Sequence, residues 1–187
     1  MRSTDAVASV RDLNRLSMIT IRCTGRAAKA LGFRPMADAP AGTSPLGDWY
    51  ANLIPTLAGE LYLFMNEQSL LVVAIPRGTP DLLRAFVARI GNILSMIGVP
   101  GARIEKELEH FREARVGKTV SKRVLGVMND AAWRCQEAAM GATRRSKLSL
   151  SDLELSLALM PQATLNFRTP AEVALTLLQS TANFGAA

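Results

Sequence analysis

Three observations predict an α+β fold: a mainly antiparallel sheet packed against two or more amphipathic helices, with a C-terminal helical appendage. Three short apolar runs lie close together between residues 48 and 76, bounded by Gly, Pro and Asn. Two long stretches, 80–98 and 121–140, repeat their apolar residues at helical spacing. A sheet must bury its inner face, and these stripes are the surfaces available to cover it.

Residues 1–17 are polar with scattered Val and Leu and read as a flexible N-terminal segment. The core domain is expected over 18–147, and 148–187 as a helical extension that the core does not need. Residues 18–22 alternate and are rich in β-branched side chains, which predicts a strand. Thr24 then caps a helix through Leu31, with Gly32 as its stop. The Pro-rich stretch 33–45 is a loop. The meander follows as strands at 48–54, 60–66 and 70–76, because the separators 55–59 and 66–69 suit hairpins rather than crossovers. Within it Trp49 and Tyr50 fall on opposite faces, so one is core and the other is exposed or covered by a later helix.

Thr79-Pro80 signals a helix start, and Leu82, Phe86, Ile90, Ile93 and Leu94 share one face of the helix that follows. Gly98 ends it. After Pro100 comes a charged helix with Ile104, Leu108 and Phe111 on one side, and 114–120 loses the helical period and adds a strand. Ser121 caps the second long helix, whose stripe is Val124, Leu125, Met128, Ala132, Cys135 and Ala139. Residues 143–147 form a basic linker. Ser151 and Thr169 each precede a Glu by three positions, the capping-box signature, and predict two short final helices.

A composition 49% hydrophobic and 20% charged is globular. No apolar run approaches the roughly 20 residues that span a bilayer, and the N-terminus lacks a signal-peptide pattern, so a cytoplasmic protein with no membrane partner is expected. Cys23 and Cys135 stand far apart and fit reduced, buried thiols. The net charge of +6 is uneven. Residues 1–47 carry seven Lys/Arg against three Asp/Glu, and 100–147 eleven against six, whereas 48–99 and 148–187 are slightly acidic. Basic segments on either side of a neutral sheet suit a nucleic-acid partner, although a high pI alone does not require one.

No nucleophile–base–acid set is visible. His110 is the only histidine and lies on the charged helix, where a surface position is expected. One histidine and two separated cysteines give no metal-ligand pair, and no cofactor is expected. Gly117-Lys118-Thr119 resembles the end of a phosphate loop, but position 112 is Arg where that motif needs Gly. Lys118, Thr119, Ser121, Lys122 and Arg123 crowd cations and hydroxyls at a helix N-terminus, which suits either a phosphate or nucleic-acid backbone held by its free N–H groups or a solvated cap whose lysines serve solubility. A polar cluster is expected from Asp48, Asn52, Glu67, Arg123, Asn129 and Asp130, with Arg123 drawn to Glu67 or Asp48 as an ion pair. Asn129-Asp130 in mid-helix is a poor choice for helix propensity.

The runs Gly47-Asp48-Trp49-Tyr50-Ala51-Asn52-Leu53, Asn66-Glu67 and Val124-Leu125-Gly126-Val127-Met128-Asn129-Asp130 resemble a bacterial family defined by a domain of unknown function. The resemblance covers roughly 18–140 and implies a bacterial source and a set of polar motif positions rather than a mechanism. Three functions remain open: a nucleic-acid-associated regulatory or accessory protein, which the basic segments favour; a small enzyme acting on a phosphoester or nucleotide through Glu67 with Lys118 or Arg123; and a protein-binding adaptor. Partners are correspondingly nucleic acid or another protein, with a homo-oligomer also open.

Overall fold

The computed structural model describes residues 18–141 and 149–180, so the expected N-terminal segment 1–17 and linker 143–147 lie outside the described residues. The elements run β1 (Ile19–Cys23), α1 (Gly25–Leu31), β2 (Trp49–Thr56), β3 (Gly59–Asn66), β4 (Val72–Pro76), α2 (Leu82–Met96) and α3 (Gly101–Glu109). A 3-10 turn at His110–Arg112 leads into β5 (Ala114–Lys118), α4 (Lys122–Gly141), α5 (Leu150–Ala158) and α6 (Pro170–Ser180).

The strands form one five-stranded sheet in the order β4-β3-β2-β1-β5. The meander is as expected, with Trp49 opposite Asn66 and Phe64 opposite Val73 in antiparallel ladders. The sheet as a whole is mixed, not mainly antiparallel, because β1 runs parallel to both neighbours, Ile21 facing Trp49 on one side and Val116 on the other. The reason is connection length. Helix α1 with the loop after it, and α2 with α3, are long enough to carry the chain back across the sheet so that β2 and β5 each enter alongside β1. β2 also extends past the expected boundary to Thr56. Pro55 is tolerated there because β1 reaches only Trp49 to Ala51, leaving that end of β2 as an edge.

Both faces of the sheet are covered. Trp49, Ala51, Leu53, Phe64 and Val73 meet α1 and α2, where Phe86 stacks on Phe64 at 4.1 Å and meets Trp49 at 5.3 Å and Phe111 at 5.7 Å, edge to face. Tyr50, Ile54, Leu63, Met65 and Val72 meet Val124, Met128, Ala131 and Cys135 of α4. Trp49 and Tyr50 are thus both fully buried, the second beneath a later helix. Both cysteines are free and buried, and burial, joined at Cys135 by the nearby charge of Glu154, pushes each thiol up to about 11.

Both sheet edges are closed, which blocks strand addition. At the β5 edge, Met36 N–H donates to the Val116 carbonyl (2.9 Å) and Lys118 N–H to the Met36 carbonyl (3.0 Å). At the β4 edge, the Ala74 N–H donates to Glu154 Oε1 at 2.7 Å.

Caps account for the remaining differences. Thr24 and Gly32 bound α1 as expected, and Thr169 and Glu172 form the reciprocal box at 2.8 and 3.1 Å. Asp81 rather than Thr79-Pro80 caps α2. Ser149, not Ser151, caps α5, so Glu154 lies two residues further into the helix and is buried. There it accepts from Arg89 Nε at 2.7 Å as well as from the Ala74 N–H. The two final helices are therefore part of the core rather than an appendage: Ala158, Ala171, Ala174 and Leu178 join the first cluster and Leu157 the second.

Two outcomes follow from that integration. Removal of residues 148–187 uncovers the β4 edge and abolishes cooperative thermal unfolding. Glu154→Ala strands the Arg89 guanidinium and an edge N–H, and lowers stability in urea titrations by about 3–5 kcal/mol; a loss below 1 kcal/mol would mean that water takes over Glu154's role.

Candidate functional site

Strands β1 and β5 end side by side, and the helices that follow them start from that end on opposite faces of the sheet, α1 against the Trp49 side and α4 against the Tyr50 side. In sheets with parallel strands, a divergence of this kind is where ligands are commonly received. The basic segment lies here. Lys118, Lys122 and Arg123 are exposed, while Thr119 and Ser121 are half-buried.

Ser121 caps α4 by accepting from the Val124 N–H at 3.3 Å. Its own N–H donates to the Tyr50 hydroxyl at 3.1 Å, and that hydroxyl donates to Glu67 Oε1 at 3.4 Å. Burial, and then the Glu67 carboxylate, raise Tyr50 above its ordinary range, so its hydroxyl stays protonated and keeps the bond. Arg123 does not form the expected ion pair. Its Nη2 donates to the Glu67 backbone carbonyl at 2.7 Å, tying the first turn of α4 to the β3–β4 turn.

The polar cluster is divided among separate places. Asp48 is buried and paired with Arg22 at 2.6 Å. Asn52 accepts from the Thr24 hydroxyl at 2.9 Å beside the start of α1. Glu67 and Arg123 are joined as described, and Asn129 and Asp130 are exposed on α4.

Along α4, Lys122, Gly126, Asn129 and Trp133 fall within about 60° of one another at roughly 100° per residue. All four are exposed, Trp133 to 55%. Arg123, Asp130 and Arg134 flank this row. A groove of about 330 Å³ opens beside it, lined by Asp130, Trp133, Arg134 and Gln162 over Met65 and Leu70. Nothing local in the sequence marks Trp133, Arg134 or Gln162: an aromatic such as Trp133 on a long helix is ordinarily core, and Gln162 reaches the groove from the connection between α5 and α6.

The family model described as Domain of unknown function (DUF6933) matches residues 20–173. The chain belongs to this family. No curated protein and no solved structure matches it. The matched region of the DUF6933 domain takes in all five described strands except the first residue of β1, and ends within α6. Among the described residues no group of three or more His, Cys, Asp or Glu side chains is placed to hold a metal ion, and no helix is long and apolar enough to cross a membrane.

The DUF6933 domain carries a second polar constellation on the other side of its sheet. Glu107 of α3 is buried, 1% exposed, and its Oε1 accepts from the Ser44 hydroxyl. Its Oε2 is buried and has no partner. Next to it a cleft of about 500 Å³ is lined by Thr43, Pro45, Arg103, Lys106, Glu107, His110 and Leu178. His110 is half-buried rather than on the surface, and its Nδ1 lies 3.3 Å from the Thr43 hydroxyl. Burial lowers its pKa, favouring the neutral ring. The sequence offered one signal for this cleft: Glu107 lies between Ile104 and Leu108, on the margin of the apolar stripe of α3.

Burial pushes the Glu107 carboxyl up to about 7, against a smaller downward effect of the Ser44 hydrogen bond. The folded protein therefore holds a proton that the unfolded chain has released, and stability falls as pH rises from about 4.5 through about 7. Glu107→Gln removes this dependence: across that interval wild type loses on the order of 3 kcal/mol relative to the variant in urea titrations. Parallel pH profiles for the two proteins would show that Glu107 ionises as freely as in the unfolded chain.

Proposed function

We propose that this protein is a nucleic-acid-associated accessory protein that takes up a single-stranded segment along the exposed face of α4. The observation that carries the reading is the row Lys122, Gly126, Asn129 and Trp133. Gly and Asn each cost a helix roughly 0.5–1 kcal/mol relative to Ala, and neither one is buried here. An exposed Trp likewise contributes little to the core. Residues unfavourable to the helix, placed where packing does not call for them, fit contact with something outside the chain.

The chemistry of the row suits a single strand. Lys122, with Lys118 and Arg123 beside it and Arg134 at the other end of the row, meets phosphates. Trp133 offers a stacking surface worth about 1–3 kcal/mol per base. Asn129 lies between them with a donor and an acceptor for a base edge, and Gly126 leaves the helix backbone open to close approach. The rise from Lys122 to Trp133 is about 16 Å, which favours an oligomer over a mononucleotide.

Fluorescence anisotropy with labelled single-stranded DNA and RNA oligomers tests this. Affinity should fall steeply between 50 and about 200 mM salt, as phosphate contacts require. Trp133→Ala and Lys122→Glu should each weaken binding by about tenfold or more while leaving the melting temperature unchanged. Binding that neither variant alters would remove the α4 face from the reading. A salt-insensitive complex of fixed stoichiometry with another protein would favour the adaptor instead.

A further inference from the structure

We infer that the cleft between α3, the loop at residues 43–45 and α6 is a binding site for a small organic anion that also carries a hydroxyl or amine donor. Two independent observations meet there. The first is the orphaned Glu107 Oε2: nine in ten buried polar atoms in folded proteins have a partner, and one without a partner beside a cleft marks where a ligand group completes the set. The second is the charge of the wall. Arg103, Lys106 and His110 are separated by single helical turns and so lie along one face of α3 with Glu107, and all four line the cleft.

The ligand class follows from these groups. Lys106 and Arg103 match a carboxylate or phosphate, although one Arg103 donor, Nη1, is already used on the Leu178 carbonyl. Glu107 provides a carboxyl oxygen to accept from a hydroxyl or amine. The Thr43–His110 pair adds a polar edge, Pro45 and Leu178 supply apolar walls, and about 500 Å³ suits a molecule of metabolite size. This site does not rest on the nucleic-acid reading. Its residues belong to the Trp49 side of the sheet and α4 covers the Tyr50 side, so either proposal stands if the other fails.

Because His110 is the only histidine, its ring proton resonances report on the cleft in the intact protein. The probes are malate, aspartate and glycerol 3-phosphate, which carry both groups, and succinate and inorganic phosphate as controls. At least one of the first three should shift the His110 signal saturably, with a Kd at least about tenfold tighter than its control. Lys106→Glu, at an exposed position, should weaken binding at least about tenfold, whereas Lys29→Glu, exposed on α1 and outside the cleft lining, should leave it unchanged. Glu107→Leu should abolish the preference over the controls without lowering the melting temperature; if it fails to fold, Lys106→Glu decides. No saturable shift with any probe up to about 50 mM, binding indifferent to Lys106→Glu, or controls that bind as tightly as the substituted acids would each overturn the assignment.

Discussion

The buried ion pair between Arg22 and Asp48 joins the parts of this fold that are distant in sequence. Arg22 lies on β1, Asp48 immediately precedes β2, and their side chains are 8% and 1% exposed at 2.6 Å separation. Asp48 uses its second oxygen on the Gly42 N–H at 2.6 Å. Arg22 reaches the carbonyls of Ala39 and Lys118, each at 3.4 Å. One charge pair thus touches the first strand, the loop that crosses to the second, and the end of the fifth. A buried pair of this kind adds little or no net stability over an apolar substitute, because desolvation offsets the attraction, but losing one partner leaves the other charge stranded. Two glycines leave room for it. A Cβ on Gly117 would lie 2.7 Å from the Ala39 Cβ, and one on Gly42 would lie 3.1 Å from Asp48 Oδ1.

From Asp48 the constraint passes into the meander. Its carbonyl accepts from the Glu67 N–H at 2.8 Å, and Asn66 Nδ2 donates to the Leu46 carbonyl at 2.8 Å. Asn66 Oδ1 in turn holds the N–H and hydroxyl of Ser69, fixing a turn in which Leu70 adopts φ 62°. Gly47 is required beside that turn: it has φ 74°, and a Cβ there would fall 2.7 Å from Gln68 Nε2. Arg123 and Tyr50 then attach the first turn of α4 to Glu67. The outer face of α4 is consequently displayed on a helix anchored at its start and packed along its length, so the surface we propose for a single strand is a preorganised one.

The features legible in the sequence were those fixed by near neighbours. Strand alternation, the two hairpins of the meander, the Thr24, Ser121 and Thr169 caps and the stripes of α2 and α4 are all set within a few residues, and the structure keeps them, although the first connection shortens to 57–58 and the second shifts to 67–71. Strand direction was not local. β1 lies parallel to β2 and β5 because of where long connections return, and nothing in residues 18–22 records it. The partners of buried charges were hidden for the same reason: Arg22 meets Asp48 across 26 positions and Arg89 meets Glu154 across 65. Lys118, Lys122 and Arg123 were recognisable as an exposed basic group because their cap was recognisable. The Glu107 cleft was not, since Ser44 comes from a Pro-rich loop whose path no periodicity describes.

Glu107 and Glu154 show how far physical argument separates a scaffold from a site. Each is an acid on the inner side of a short helix, and burial raises the pKa of both. Glu154 is answered in full. Arg89 binds both oxygens, the Ala74 N–H adds a third donor, and its removal would expose an edge strand, so its role is architectural. Glu107 receives one hydroxyl and no cation, and its second oxygen is left without a partner. An apolar residue at that position would fill the same space without the cost of an unsatisfied buried carboxyl. A group that destabilises the fold, has cationic neighbours in the same wall and borders a cleft is best explained by what enters the cleft.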